Sequence, residues 1–385
     1  MIDQNHLRLP VALALMWLTC ACRNDAGSAE FVQESAAPQK AAEAVLPQGD
    51  HPNRLAKQSF LKKSAPQEGD SLQSMIVPVH MVKKGSTIKH EPPLGPLRQT
   101  KTKLVVLQSA PFPYHGAVPS TGRPFLDVSE NGRLGHRTSS GNVYWEDRTY
   151  SDSRTLLHIP RGFDVRRPAL MVVFLHGHGA TLQRDVIERQ RVPEQVSEAG
   201  INAVLVAPQL ASDAADSSAG KLWEAGGFER FLEETASELT KIHGDPRSKA
   251  AFEKMPIVIV AYSGGYATAA SCIRHGAAGS RVRGIVLLDA LYGDVDTFAS
   301  WISSRQKAFF LSAFANSTRA HNAELEDLLK QRAVAYNTKL QGRLRGGSVT
   351  FVSTAPETEH RDFVTSAWTH HPVRDLLQRL KAEAR

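Results

Sequence analysis

Six apolar runs recur along residues 169–353, and they constrain the fold more than any other feature of the sequence. They are Ala169–Leu175, Ala203–Ala207, Ile257–Ala261, Gly284–Leu288, Ala308–Phe314 and Ser348–Ser353. The first four show no alternation of polar and apolar residues, which is typical of strands buried on both faces. Segments with helical periodicity separate or follow the runs: Leu182–Ala199, Phe228–His243, Gly264–Arg274, Asn322–Leu340 and Val373–Ala382. This alternation predicts an α/β fold, a mostly parallel central sheet with helices on both faces.

In such a sheet the functional residues follow the carboxyl ends of the strands. Ser263 stands at such a point, since Ile257–Ala261 leads into Tyr262-Ser263-Gly264-Gly265 and then into a helical pattern. This strand–turn–helix string resembles the nucleophile elbow G-x-S-x-G, with Ala261 in place of the first glycine. Small residues on either side of Ser263 leave room for a sharp turn that presents a hydroxyl at a helix start. The alternative is a purely structural turn.

A second motif follows the run that ends at Leu175. His176-Gly177-His178-Gly179 resembles the H-G-x-G loop of the α/β-hydrolase superfamily. The resemblance implies an oxyanion hole made by the N–H groups of His178 and Gly264, with His176, Gly177 and Gly179 supporting the loop. A glycine-rich turn before a helix is the plain alternative. The i, i+2 histidines are not accompanied by a matching carboxylate or thiol set, so we expect no metal and no cofactor.

The resemblance places a general base on the loop after the last strand. His360 follows Val349–Ser353 and fits the superfamily's chain order of serine, acid and histidine. His370 and His371 lie further on, and we expect them at the surface.

The acid is harder to assign because the penultimate strand is followed by Asn316, without a carboxylate. Asp289, at the end of the preceding strand, is our choice, because some members of the superfamily carry the acid there. Asp294 is the second choice, and Glu357 or Glu359 the third. Asn316 would stabilise an imidazolium poorly. A carboxylate at the end of a buried strand needs hydrogen-bond donors, which we therefore expect around Asp289.

The resemblance to α/β-hydrolases covers roughly Arg154–Leu380. The strings Ile159–Asp164 and Phe174–Gly179 look like those of secreted carboxylesterases, and the pattern from Ala110 to the elbow looks like a bacterial family of uncharacterised α/β-hydrolases. We therefore expect a hydrolase domain over residues 110–385. The implied activity is cleavage of carboxylic esters through an acyl-enzyme. The alternatives are an amidase or peptidase with the same residues, or a catalytically silent binding protein of the same fold.

Polar and aromatic residues near the predicted site are candidates for the substrate wall. Gln209 follows an apolar run, Trp223 follows the polar loop Asp213–Lys221, and Tyr262 precedes the serine. We expect these three side chains to contact a small or polymeric ester substrate. A merely solvated loop is the alternative for Asp213–Lys221.

The first residues have the anatomy of a secretory signal. Arg8 is followed by the apolar stretch Leu9–Leu18, which is too short to span a bilayer. The ending up to Cys22 resembles a bacterial lipobox, which implies cleavage before Cys22 and lipidation of its thiol. We expect a signal over 1–22 and an exported protein held in the cell envelope by a lipid. Plain secretory cleavage, giving a periplasmic or secreted protein, and an uncleaved anchor are the alternatives.

Composition completes the picture. Residues 23–109 are rich in small and polar residues, and we expect a largely disordered tether there. The 385 residues carry a net charge of +7 without any block of five like charges, so nucleic-acid binding has no support. Three cysteines are present, and removal of the signal with lipidation of Cys22 would leave Cys272 without a disulfide partner.

Overall fold

The computed structural model describes residues 94–275 and 277–380. The signal, Cys22 and most of the expected tether lie outside the described residues. In chain order the strands are β1 (Lys101–Val106), β2 (Val128–Glu130), β3 (Arg133–Arg137), β4 (Val143–Trp145), β5 (Arg154–Ile159), β6 (Leu170–Leu175), β7 (Ala203–Pro208), β8 (Ile257–Tyr262), β9 (Val282–Leu288), β10 (Phe309–Phe314) and β11 (Val349–Ser353).

The α-helices are α1 (Val192–Glu198), α2 (Gly227–His243), α3 (Lys249–Lys254), α4 (Gly265–His275), α5 (Val295–Ser304), α6 (Arg319–Gln331) and α7 (Pro372–Arg379). Two π-helical turns, Glu146–Tyr150 and Leu182–Arg189, and 3₁₀ turns at Gly220–Trp223, Pro246–Ser248, Ala277–Ser280, Asn316–Thr318 and His360–Val364 complete the described segments. None of the described helices is long and apolar enough to cross a membrane.

The central sheet has the strand order β1-β5-β7-β6-β8-β9-β10-β11 within the described residues. The strands from β6 to β11 run parallel, whereas β5 is antiparallel to β7 and β1 is antiparallel to β5. The mostly parallel sheet predicted from the apolar runs is confirmed. Because all six parallel strands end at the same edge, the loops after β6, β8, β9 and β11 meet there.

Helices cover both faces of the sheet. Successive side chains of a strand point to opposite faces, so a strand that is apolar throughout must be covered on both. Along β6, Met171, Val173 and Leu175 belong to the apolar cluster that includes side chains of α2 to α6. Val172 and Phe174 belong to the other cluster, which contains side chains of α1 and α7. Both sets are buried, so this central strand shows no polar face in the sequence.

The edge of the sheet corrects the predicted domain boundary. Residues 23–109 were expected to form a tether, but β1 (Lys101–Val106) pairs along its length with β5. Lys101 and Lys103 and the half-exposed pattern of β1 are typical of an edge strand, where charged residues discourage further pairing. The same composition resembles that of a linker, which is why the sequence assigns these residues to the tether. Because β1 pairs with β5, the folded body begins before residue 110.

Two predicted helices are shorter or broken. The segment Leu182–Ala199 is interrupted at Arg191, which has a left-handed φ of 50°, and α1 then begins at Val192 with Pro193 in its first turn. The predicted helix Asn322–Leu340 ends at Gln331 because Ala333 takes a φ of 54°. Neither change moves a strand that carries a site residue.

A small antiparallel sheet, in the order β2-β3-β4, accompanies a separate aromatic cluster. We define the aromatic cluster as Phe112, Tyr114, Phe125, Tyr150 and Trp223, whose rings lie within about 6 Å of one another in successive pairs. The Tyr150 hydroxyl donates to Asp216 Oδ2 over 2.9 Å. The cluster therefore supports the polar loop Asp213–Lys221, which follows β7.

Candidate active site

Ser263 lies in the turn between β8 and α4. Its φ is 53°, in the left-handed region that a serine adopts only under strain, at a cost of about 1–3 kcal/mol. Two backbone hydrogen bonds hold the turn: Ser263 N donates to the carbonyl of Leu288 at the end of β9, and Tyr266 N donates to the Ser263 carbonyl, each over 3.2 Å. Gly265 is required here, since a Cβ at this position would collide with the carbonyl of Leu175.

His360 begins the 3₁₀ turn His360–Val364, which follows β11. Its Nε2 lies 2.8 Å from Ser263 Oγ, and its Nδ1 lies 2.6 Å from Asp289 Oδ2. Since an ionised carboxylate only accepts, Nδ1 carries the proton and the Nε2 lone pair faces the serine hydroxyl. The structure thus brings the three residues proposed from distant parts of the sequence into one hydrogen-bonded path.

Asp289 follows β9 directly and is completely buried, with a left-handed φ of 42°. Besides His360, it accepts hydrogen bonds from Ser317 Oγ (2.7 Å), Thr318 Oγ1 (2.6 Å) and Ala315 N (3.3 Å). Burial alone would raise the pKa of this carboxyl. The donors outweigh it and hold the pKa of Asp289 below its ordinary value. Asp289 therefore stays ionised beside the imidazole.

The second- and third-choice acids do not contact His360 Nδ1. Asp294 precedes α5 and forms an ion pair with Arg274, and Glu359 forms one with Arg361 over 2.8 Å. Glu357 lies in the loop after β11, while His360 Nδ1 is already bonded to Asp289.

The loop after β6 also lies close to the serine. A Cβ on Gly177 would lie 2.6 Å from the Cβ of Ser263, so only glycine allows this approach. The N–H groups of His178 and Gly264 have no protein acceptor among the described residues, as expected for oxyanion donors. Gly179 N donates to the Ala214 carbonyl over 2.8 Å, which ties the loop to the chain that follows β7.

The side chain of His178 lies at the edge of this donor pair. Its imidazole rests against Gly264, and its Nε2 lies 2.6 Å from Ser217 Oγ. Burial lowers the pKa of His178, and the nearby His360 acts in the same direction, while Asp216 opposes both. The ring is therefore a neutral group near neutral pH. Ser217 was not singled out in the sequence, where it is one of several polar loop residues.

His176 supports the loop from inside the protein. It is buried, and its Nε2 accepts a hydrogen bond from Leu210 N over 2.9 Å, so Nδ1 carries the proton, 2.9 Å from the Gly177 carbonyl. Burial lowers the pKa of His176 to about 4. A neutral, fixed imidazole thus holds the backbone of the loop after β6.

Two of the three expected wall residues lie elsewhere. Gln209 is completely buried: its amide donates to the Ala180 carbonyl and to His176 Nε2, and its Oε1 accepts from Leu182 N. Its place after β7 suggested a wall, but it binds backbone groups beneath the loop. Trp223 belongs to the aromatic cluster. Tyr262 does line the site, and its ring also stacks on the imidazole of His360.

An open hollow of about 550 Å³ surrounds the serine. Its lining residues are His178, Arg189, Tyr262, Ser263, Glu359, His360 and Arg361. A more apolar cavity of about 380 Å³ lies at the opposite, amino edge of the sheet, where Leu170 and Phe309 begin their strands, and contains none of these residues. Within residues 94–275 and 277–380 no group of three side chains is arranged to hold a metal ion.

The signal that would have completed the site was present in the sequence. Ser317 and Thr318, which donate to Asp289, follow β10, where the superfamily usually carries its acid. Two hydroxyls at that position are consistent with a nearby acceptor. The acceptor is the carboxylate of Asp289, at the end of the neighbouring strand β9.

The strand order, the antiparallel second strand and the serine turn after the central strand β8 together define the α/β-hydrolase fold. The chain has this fold, and the resemblance stated from its motifs is confirmed at that level.

A scan of protein-family models and a search of curated proteins each returned no match. Among solved structures the chain is similar to an S-formylglutathione hydrolase from Agrobacterium tumefaciens, with 12% identity, a TM-score of 0.38 and coverage of 67% of this chain and 97% of that chain. It is also similar to a feruloyl esterase module from Clostridium thermocellum, with 13% identity, a TM-score of 0.40 and coverage of 75% and 96%.

Proposed function

We propose that this chain is a serine hydrolase that cleaves carboxylic esters through an acyl-enzyme on Ser263. The observation that carries the proposal is the path from Ser263 Oγ to His360 Nε2 (2.8 Å) and from His360 Nδ1 to Asp289 (2.6 Å). A serine hydroxyl is a weak nucleophile until a base within hydrogen-bond reach takes its proton. A separation of Ser263 Oγ and His360 Nε2 well beyond 4 Å would favour a catalytically silent binding protein. The observed 2.8 Å favours the hydrolase instead.

In the first half-reaction the oxygen of Ser263 attacks the ester carbonyl carbon, while its proton passes to Nε2 of His360. The carboxylate of Asp289 stabilises the imidazolium that results. The carbonyl oxygen, now negative, accepts hydrogen bonds from the free N–H groups of His178 and Gly264. One such donor contributes about 3–4 kcal/mol of transition-state stabilisation. When the tetrahedral intermediate collapses, the departing alkoxide takes the proton from Nε2 and leaves as the alcohol.

In the second half-reaction water replaces the alcohol. Nε2 of His360 takes one proton from the water while the water oxygen attacks the acyl carbon. The same N–H groups donate to the oxyanion of this second tetrahedral intermediate. Collapse returns the proton to Ser263 Oγ and releases the carboxylic acid. The same residues would cleave an amide if the leaving amine were protonated efficiently.

The walls of the hollow indicate which esters fit. Arg189, Glu359 and Arg361 line it, and the space is open to solvent. No apolar segment among the described residues covers the serine, so a long acyl chain would stay in water. We therefore propose esters with short or polar groups on both sides of the bond, including esters on polymers, over long-chain lipids.

The test is labelling with a fluorophosphonate probe, which reacts only with an activated serine. We expect the purified protein to be labelled and Ser263→Ala to lose the label. Ser237→Ala, on α2 and away from the site, is the matched control and should label like the wild-type protein. Absence of labelling in a folded wild-type protein contradicts the proposal. Relative rates on an ester and an amide with the same acyl group then separate esterase from amidase.

We also propose that the enzyme acts in the cell envelope, attached through lipid on Cys22. The support is the basic residue Arg8, the apolar stretch Leu9–Leu18 and the small residue before Cys22. In bacterial cells we expect labelled palmitate on the wild-type protein, which should fractionate with membranes. Cys22→Ala should lose the lipid, and recovery of the lipid on that variant would contradict the assignment.

A further inference from the structure

The general base of the proposed reaction lies on an exposed turn. The side chain of His360 is 41% exposed, whereas Asp289 is fully buried. Solvent on one side leaves an imidazole free to tilt about its bond to Asp289 unless another group fixes the plane of the ring. Hydrogen bonds to the two ring nitrogens define an axis and leave rotation about that axis open.

Tyr262 provides contacts of the required kind. It is the last residue of β8, directly before Ser263, and it is buried. Its ring stacks on the imidazole of His360, with centroids 5.0 Å apart and planes inclined by 24°. Its hydroxyl donates to the backbone carbonyl of His360 over 3.2 Å. One side chain thus holds both the ring and the main chain of His360.

Tyr292 contacts the same imidazole from another direction. It lies three residues after Asp289, and its ring centroid is 6.2 Å from that of His360 with an interplanar angle of 79°. The imidazole therefore lies in a corner between a stacked ring and a perpendicular ring. Both tyrosines are neighbours in sequence of residues in the hydrogen-bonded path, so the turns that place Ser263 and Asp289 also place the two rings.

We propose that Tyr262 and Tyr292 are positioning residues that fix the imidazole plane of His360 and favour its protonated form. The proposal rests on the proposed function, in which His360 takes the serine proton. When the Oγ–H bond breaks and Nε2–H forms, the ring becomes a cation, and the face of an aromatic ring attracts a cation. In this role the two tyrosines act on the reaction through the imidazole of His360.

The charged groups around the imidazole act alongside the tyrosines. Asp289 favours the imidazolium directly, and His178 lies across the hollow. Glu359 and Arg361 flank His360 on its own turn and pair with each other, and Arg189 lines the hollow from the turn after β6. Replacement of an uncharged tyrosine ring leaves these charges in place, so a change in pH profile then reports the ring.

The comparison of Tyr262→Leu with Tyr262→Phe tests the proposal. Leucine removes the ring, and we expect kcat to fall about 10- to 30-fold with KM within twofold, since misorientation of a catalytic group affects the reacting state. The acid limb of kcat/KM should move to lower pH, because an imidazolium without the ring is less stable. Phenylalanine keeps the stack, so kcat should stay within threefold and the acid limb should not move.

Two other variants protect the test against a folding defect. Tyr292 is exposed, so Tyr292→Leu should fold and shift the acid limb in the same direction by a smaller amount. Tyr336→Leu removes a tyrosine that packs on Phe351, away from His360, and should leave the pH profile unchanged. A rise in KM at constant kcat in Tyr262→Leu would show a substrate wall and overturn the proposal. Equal losses in Tyr262→Leu and Tyr262→Phe would also overturn it.

A measurement without turnover separates this proposal from the proposed function. In Ser263→Ala protein, NMR of the His360 ring protons follows the titration directly. Adding Tyr262→Leu should move that titration to lower pH. If the wild-type protein hydrolyses no ester but the shift is seen, the proposed function fails and the positioning role stands. If the ester is hydrolysed and the titration does not move, the positioning role fails alone.

Discussion

In the proposed mechanism the site has an acid–base side, formed by His360 and Asp289, and an oxyanion side, formed by the loop after β6. The two sides differ in the kind of group that holds them in place. On the acid–base side, the ionised carboxylate of Asp289 is buried and bonded by hydroxyls and a backbone amide. On the oxyanion side, His176 and Gln209 are neutral and hold backbone groups. This agrees with the proposed mechanism, in which a cation forms on one side and an anion on the other. A fixed carboxylate suits the first, and free N–H groups suit the second.

The largest effect should come from the charge on the acid–base side. Asp289→Asn keeps the shape but removes the charge, and its amide can donate to Nδ1 and impose the wrong tautomer of His360. We expect kcat to fall about 10⁴-fold, measured by steady-state hydrolysis of a soluble ester. Asp294→Asn is the matched control, since Asp294 pairs with Arg274, and should keep nearly full activity. A large loss in Asp294→Asn alone would mean that the acid is misassigned.

On the oxyanion side, the same kind of deletion should cost less. Gln209→Ala leaves Leu182 N and the Ala180 carbonyl without their partner, which costs about 1–3 kcal/mol of stability. The displaced loop should lower kcat about 10- to 100-fold, since a shift near 1 Å has that effect.

A control for this deletion lies at the other end of the same strand. Asn202 precedes β7 as Gln209 follows it, and Asn202 bonds the backbone of Asp164 on both sides of its amide. Asn202→Ala should therefore lower stability by a similar amount, measured by urea unfolding, but leave kcat unchanged. Equal losses of kcat in the two variants would show that Gln209 acts through global stability.

Acid should weaken the oxyanion side before the acid–base side. Burial lowers the pKa of His176 to about 4 from an ordinary value of 6.5. The unfolded chain therefore binds more protons between these values, and stability is lost as pH falls from 6.5 toward 4. The slope is about 1.4 kcal/mol per pH unit for one histidine. For Asp289, with its pKa lowered, the loss begins only below about 4.

A second buried histidine makes this measurable. Burial also lowers the pKa of His158 to about 4, although His158 lies on β5 between Thr102 and Ser197, outside the site. His158→Gln and His176→Gln should each reduce the slope of unfolding free energy against pH by the contribution of one proton, about 1.4 kcal/mol per pH unit. Only His176→Gln should also lower kcat. An unchanged slope in both variants would contradict a neutral buried state for these imidazoles.

The two sides also differ in how well their residues can be predicted from the sequence. Ser263, Asp289 and His360 each follow a buried strand, and apolar runs mark such strands clearly, so their meeting at one edge is implied by the parallel sheet. The partners of Gln209 lie 27 and 29 residues away and are backbone groups, which carry no sequence signal. The same limit applies to β1, whose lysines and half-exposed pattern conceal an edge strand.

The smallest effect should come from the exposed rim of the oxyanion side. Ser217→Ala removes the hydroxyl that lies 2.6 Å from His178 Nε2. In the proposed mechanism His178 acts through its backbone N–H, and the exposed side-chain bond contributes little, so kcat should fall about threefold or less. Ser218→Ala, which removes a bond to Asp216, is the neighbouring control. A loss near 10²-fold in Ser217→Ala alone would match removal of an oxyanion donor, and the imidazole of His178 would then take a direct part in stabilising the oxyanion.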